Sequence, residues 1–384
     1  MKWTLVVPGA LTPAALAPEL NCAVRAPWLS ELLLGARSAV DHHEIGPNIG
    51  APHWSWLARK FGVTAQPPVT APYAWQALGG ALAPGQRQWI AFCDPVHLAV
   101  GHDSVLLTDL ADAPLQEDES DALLSLAGGA LRANTPIDRA ADSSQTTGPV
   151  DLRIEVRRGQ WFLLADAPLD LQSAALPAVL GQAAHQRLPT GIDARLWRKL
   201  ANEIQMLWHS SEVNAAREDR GERTVNALWV HGGGLWTPLP PNPVAELLVE
   251  EDSIDAAVLH GWLQATSTTR PTGKAPSVER SPASETLSLC LALSRPFAFQ
   301  DWESWLRELP AVQDRLQRDL AGARERGAER LDLVLCGTHQ VRTLDIPLHA
   351  SRWKLRLGLQ RSRASEMQRW FVEQDQPTVP RFRL

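Results

Sequence analysis

A chain of 384 residues that is 45% hydrophobic and 21% charged has room for two cores and the composition of an ordinary globular protein, which excludes a wholly disordered or fibrous class. The net charge of −6 supplies no basic field for a nucleic-acid backbone or an anionic membrane, so neither is expected as a partner. No apolar run approaches the ~20 residues of a membrane span. The 32 arginines against five lysines fit a compositional bias that also favours Ala, Leu and Pro. Cys22, Cys93, Cys290 and Cys336 lie far apart with no CxxC pair, so they read as free, reduced thiols and not as a zinc site.

In chain order, residues 3–7 read as a first buried strand. Lys2 and the run Ala15-Leu16-Ala17 imitate a signal peptide, but Pro8-Gly9 breaks the apolar stretch, and the reading is cytoplasmic. Residues 27–34 suggest a helix, and Asp41-His42-His43-Glu44 a solvated loop, since adjacent histidines point in divergent directions. Residues 46–54 look like a loop, and 55–61 a short helix closed by Gly62. From Trp89 the texture changes. Short apolar runs at 89–92, 96–100 and 104–108 suggest a strand meander, 117–132 an amphipathic helix, and 133–149 an exposed loop. Residues 152–156 and 161–165 alternate around Arg157-Arg158-Gly159 as a hairpin would.

Leu196, Leu200, Ile204 and Leu207 recur at helical spacing with Trp197 and Trp208 beside them, giving a helix that should fail near Ser210-Ser211. A polar run follows over 212–223, then a buried strand at 227–230 and the loop Gly232-Gly233-Gly234. Residues 266–284, rich in Thr, Ser and Pro, read as a flexible linker. Beyond it come an apolar run at 286–293, helices at 302–309 and 312–326, a strong buried strand at 331–336, and an alternating stretch at 352–359 that suits an edge strand.

At Val213-Asn214, Arg217, Gly221, Val225-Asn226 and Gly232-Gly233-Gly234 the chain resembles archaeal-type cofactor-independent phosphoglycerate mutases, whose signature runs Asn, Arg, Gly, Asn and a glycine loop in that order. Glu203 to Met206 (EIQM) and Asp94 to Leu98 (DPVHL) bring it closer to a bacterial offshoot, the RpfE-type regulatory proteins. The resemblance implies an α/β, alkaline-phosphatase-like three-layer core from residues 1–88 plus 245–384, made discontinuous by an inserted α+β domain at 89–244.

That family needs a serine nucleophile and two divalent metals held by Asp and His. By position, Pro8 stands where the first strand would carry a metal-binding Asp. His53 stands at the nucleophile, with Ser55 past the turn. Thr338-His339 replaces the late Asp-His pair, and His349 aligns loosely with the final histidine. One or two histidines cannot replace carboxylate oxygens around hard cations. No metal is therefore expected, with Mn or Zn implied only if the chain is an active phosphomutase or phosphatase using displaced ligands such as His53, Asp41 and His339.

What the resemblance leaves is the segment that contacts phosphoglycerate: Arg217 as a fork for carboxylate or phosphate, Asn214 and Asn226 beside it, and backbone N–H groups of Gly232, Gly233 and Gly234. The expectation is a protein that has lost catalysis and acts as a regulatory or anion-binding protein for a phosphorylated small molecule. Arg217 reads equally well as a solvated loop arginine, and the glycines as a tight turn. The run His231-Gly232-Gly233-Gly234 also resembles a lipase oxyanion loop, but no Gly-x-Ser-x-Gly elbow accompanies it. His97 and His102 read as surface histidines. Trp54, Trp56, Trp229 and Trp236 would give the cleft an aromatic wall.

Overall fold

The computed structural model describes residues 1–14, 16, 36–42, 51–82, 87–101, 105–134, 149–267, 284–338 and 340–348. The expected helix at 27–34, the cluster members His43 and Glu44, His102, His339, His349 and the strand at 352–359 lie outside them. The described residues fall into two compact units. Those of Met1–Ile45, Pro243–Glu250 and Gly273–Leu384 form the first, and those of Gly46–Asn242 and Glu251–Thr272 the second. The described residues within 51–88 and 251–267, grouped with the α/β core in the sequence reading, belong to the second unit.

The first unit is a mixed sheet. β1 (Lys2–Pro8) lies between β10 (Arg330–Cys336) and β9 (Glu285–Leu289), parallel to both, and β9 is parallel to β8 (Val244–Leu248). On the other side β11 (Gln340–Pro347) runs antiparallel to β10, and β2 (Arg37–His42) antiparallel to β11. The order among the described residues is β2-β11-β10-β1-β9-β8. The centre of β1 is buried on both faces, which explains its unbroken apolar run.

Asp41 and His42 therefore stand in a strand, not in the expected loop. The two helices expected at 302–309 and 312–326 are one, spanning Trp302–Glu325 with Pro310 inside it; Asp301 caps its start by accepting the Ser304 N–H at 3.0 Å. Its face of Trp305, Val312, Leu316, Leu320 and Ala323 packs with Trp3, Leu5, Val7, Leu333 and Leu335 into the core of this unit.

In the second unit β3 (Trp89–Val100) is one long strand through Asp94-Pro95 in place of the two expected runs. It pairs with β4 (Val105–Thr108), with β6 (Gln160–Ala165) and with β7 (Ala227–Leu235), all antiparallel. β5 (Leu152–Arg157) forms the expected hairpin with β6, its turn made by Arg158 and Gly159 at φ 49° and 78°. The described helices of this unit are α1 (Pro52–Phe61), α2 (Ala71–Ala77), α3 (Glu117–Asn134), α4 (Leu176–Val179), α5 (Ala194–His209), α6 (Glu212–Asp219) and α7 (Ile254–Ser267). The polar run 212–223 is thus largely helical. Residues 266 and 267, assigned to the linker, end α7, and 268–283 lie outside the described residues.

Leu200, Ile204 and Trp208 of α5 meet Leu123, Ala127 and Leu131 of α3 and the alternate residues Trp89, Ala91 and Cys93 of β3 in one core. Across the sheet Phe92 and Phe162 face Trp54 and Trp75, of α1 and α2.

Candidate functional site

α1 begins with Pro52 after Ala51, which has no side chain to cap it, and closes at Gly62 in the left-handed conformation. His53 and Trp54 of its first turn are both buried, at 4% and 1% exposure, and both meet the carboxylate of Asp255 near the start of α7. His53 Nε2 lies 3.1 Å from Asp255 Oδ1, and Trp54 Nε1 donates to the same oxygen. The Trp54 indole stacks on the His231 imidazole with centroids 6.0 Å apart.

His231 of β7 lies opposite Phe92 on β3. Asp94, two residues further along β3, shares that face, and its Oδ2 meets His231 Nε2 at 2.6 Å. Gln160 Nε2 donates to the other carboxylate oxygen at 2.5 Å. Two carboxylate–imidazole pairs, one buried and one partly exposed at Asp94, are therefore bracketed by one tryptophan. In each, Nε2 of the imidazole is turned to its carboxylate.

The three glycines are strand residues, not a loop beyond the strand. Ala91 faces both Gly232 and Gly233, a bulge marked by the register change between Ile90 and Phe92, and Gly232 sits at φ +63°. The Gly232 carbonyl accepts the Thr70 N–H at 3.0 Å, and a Cβ on Gly232 would come within 2.2 Å of Thr70 Oγ1. Beside this edge lies a cavity of about 330 Å³ lined by His231, the glycines, Val69, Trp89 and Leu171 among others.

The other anion-contacting residues expected from the sequence are spent inside the protein. Arg217 is 0% exposed: its Nη1 donates to Glu119 Oε2 at 2.7 Å, Nη2 to the Ala113 carbonyl at 2.6 Å, and Nε to the Arg223 carbonyl at 2.8 Å. Arg220 and Glu222 complete a network around Glu119, and the Arg220 hydrogen bond holds the Glu222 carboxyl below its ordinary range. Asn214 donates to the carbonyls of Trp208 and Val225 and accepts the Val225 N–H, fixing the turn between α6 and β7. Asn226 pairs with the Leu98 backbone in both directions, at 2.7 and 3.1 Å. An arginine with no exposed surface cannot reach a soluble anion, and these residues hold the fold. His97 likewise meets the Thr224 carbonyl, at 2.8 Å.

In the first unit Pro8 ends β1 and offers no side-chain oxygen to a cation. The corner after it is filled: Trp305 Nε1 donates to the Gly9 carbonyl at 2.8 Å, and a Cβ on Gly9 would meet the Leu293 carbonyl at 2.6 Å. Thr338 is exposed, beyond the end of β10. Among the described residues no group of three His, Cys, Asp or Glu side chains could hold a metal ion. Burial pushes the thiols of Cys93, Cys290 and Cys336 up, which leaves them poor nucleophiles. No described helix is long and apolar enough to cross a membrane.

No protein-family model matches the chain, and no curated protein matches it in sequence. Solved structures similar to it include the cofactor-independent phosphoglycerate mutase from Thermoplasma acidophilum DSM 1728, at 12% identity and TM-score 0.37, covering 96% of this chain and 98% of that one. The PH0037 protein from Pyrococcus horikoshii is similar at 14% identity and TM-score 0.42, covering 90% of this chain and 87% of that one. What the chain's own strands and helices define is an α/β protein with a mixed sheet in one unit and an antiparallel sheet flanked by helices in the other.

Proposed function

We propose that this chain is a regulatory, non-catalytic protein of the phosphoglycerate-mutase-like, alkaline-phosphatase-like class, in the manner of the RpfE-type proteins its motifs resemble. It works in the cytoplasm with its thiols reduced, and it acts by binding and not by phosphoryl transfer. The observation that carries this reading is Pro8. The residue that ends β1, where the resemblance calls for a metal-binding aspartate, has no side-chain donor atom, and the adjoining Gly9 carbonyl is occupied by Trp305.

Two further observations support it. His53, in the nucleophile's place, is buried and turned to Asp255. Arg217, in the place of the phosphoglycerate fork, neutralises Glu119 instead. Recognition of a phosphorylated metabolite through Asn214, Arg217 and Asn226 is accordingly not part of the reading.

The test is a turnover assay of the full chain with 2- and 3-phosphoglycerate and with a generic aryl phosphate, in the presence of manganese or zinc. No turnover above buffer is expected. Turnover that disappears in His53→Ala, with the variant shown to be folded, would establish an active phosphotransferase with displaced ligands in place of this reading.

A further inference from the structure

Trp3 and Asp319 carry complementary buried atoms that face each other without joining. Trp3 of β1 is 2% exposed and Asp319 of the long helix 3%, and among the described residues neither the indole Nε1 nor the carboxyl Oδ2 closes a hydrogen bond. The indole N–H nevertheless lies close enough to draw the carboxyl toward its ionised form. The ring is fixed beside the helix: a Cβ on Gly322, three residues beyond Asp319, would come within 3.0 Å of it, and the Arg326 guanidinium lies over its face. A buried donor and a buried acceptor left open each cost free energy, so a pair of them within reach is a contact that a second state can close.

The surrounding groups hold the carboxyl from one side only. Arg315, one turn earlier, places Nε 3.4 Å from Asp319 Oδ1. Its guanidinium also donates to the Ser288 hydroxyl at 3.1 and 2.8 Å and to the Leu248 carbonyl at 2.5 Å, so one arginine ties both β9 and β8 to the helix. Cys290, beyond β9, is within electrostatic reach of Asp319, Arg315 and Glu250, and burial pushes its thiol up and keeps it neutral. Glu246 of β8 is held by Arg326. β10 gives this core Leu331, Leu333 and Leu335, and Arg295 of the short helix at Ser294–Ala298 is turned over Phe299.

We propose that Asp319 is a proton-operated latch between the long helix and β1: the neutral carboxyl leaves the contact open, and the ionised carboxylate takes the Trp3 indole N–H on Oδ2. The proton leaves to solvent past the Arg315 side chain, which is partly exposed. Arg315 then serves one carboxylate oxygen and Trp3 the other, which offsets part of the cost of a buried charge. Because Arg315 also grips the Leu248 carbonyl and the Ser288 hydroxyl, the change reaches β8 and β9 as well as β1. The latch stands whether or not the chain retains phosphoryl transfer, since neither Trp3 nor Asp319 enters that reading.

The test follows the indole N–H signals of full-length protein isotopically labelled at tryptophan, from about pH 4 to about pH 8. One signal, assigned to Trp3 by its loss in Trp3→Phe, should move downfield along a single-proton curve as pH rises. Asp319→Asn keeps the shape and cannot ionise, and should hold that signal at one position throughout. Arg315→Gln removes the cation that favours the carboxylate and should move the midpoint to higher pH, which reports on the latch even if Asp319→Asn fails to fold. A Trp3 signal that stays fixed across the range, that moves equally in Asp319→Asn, or that keeps its midpoint in Arg315→Gln would overturn the assignment.

Discussion

Arg217 Nη1 donates to Glu119 Oε2 at 2.7 Å and joins α6 to α3 with the guanidinium fully buried. The pair is a tie between two helices, and cutting it leaves the buried Glu119 carboxylate with only Arg220 and the Gln116 N–H. Arg217→Ala should cost about 3–5 kcal/mol of stability. Arg217→Lys should recover only part of it, because one ammonium cannot serve acceptors on Glu119, Ala113 and Arg223 at once. Urea unfolding of the three proteins measures this. A loss confined to ligand affinity, with stability unchanged, would return Arg217 to the role of an anion fork.

Asp255 anchors two buried donors, His53 Nε2–H and Trp54 Nε1–H, on one oxygen. Asp255→Ala strands both and should destabilise by about 2–4 kcal/mol, while Asp255→Asn keeps a carbonyl acceptor and should cost well under half as much. Thermal melts followed by tryptophan fluorescence, with Trp54 in the affected site, report the ranking.

Gly261 of α7 and Gly129 of α3 are both helical glycines, yet they should respond to alanine with opposite signs. A Cβ at Gly261 would lie 2.1 Å from the Tyr73 carbonyl, so α2 and α7 approach each other too closely for any side chain there. Gly261→Ala should lose roughly 1–3 kcal/mol. Nothing lies within 4 Å of a Cβ at Gly129, and Gly129→Ala should gain about 0.5–1 kcal/mol from helix propensity and the stiffer unfolded chain. Differential scanning calorimetry separates the two.

Asp319 is buried in the core-facing side of the long helix at Trp302–Glu325, and burial pushes its carboxyl above the ordinary range against the opposing pull of Ser288 and Arg315. A carboxyl raised in the folded state binds its proton more tightly there than in the unfolded chain. Its contribution to stability is therefore greatest at low pH and is lost as pH rises through the folded value. Relative to Asp319→Asn, which does not titrate, the wild type should gain stability as pH falls from about 7 to about 4. Parallel denaturation curves across that range check the sign, and a wild type that gains on the alkaline side would contradict it.

Much of the architecture was legible from local pattern, because apolar periodicity records burial. The run at residues 3–7 became the doubly buried β1. The heptad-like spacing of Leu200 and Ile204 became the core face of α5, and the alternation around Gly159 became a true hairpin. What local pattern could not carry was partnership at long range. Arg217 looks solvated in a polar run because its partner Glu119 lies 98 positions away, and nothing near either residue announces the pair. Pro310 reads as a break between two helices, but packing of Leu316, Leu320 and Trp305 on the sheet overrides that local penalty. The three glycines read as a loop because a bulge inside a strand has the same composition as a turn.

The candidate site shows the same division. Asp94 and His231 each sat in a quoted motif, DPVHL and HGGG, but their contact depends on the register of β3 against β7, which no single motif encodes. Gln160 and Asp255 carried no local signal at all.

The most direct test of a protein that binds without phosphoryl transfer is metal stoichiometry. Full-length protein is dialysed against manganese or zinc, and the bound ions are counted by mass spectrometry, beside a Pro8→Asp variant. The account predicts no stoichiometric metal in the wild type, because the end of β1 has no side-chain ligand to give. Two tightly held ions per wild-type chain, with turnover of a phosphoglycerate, would contradict it.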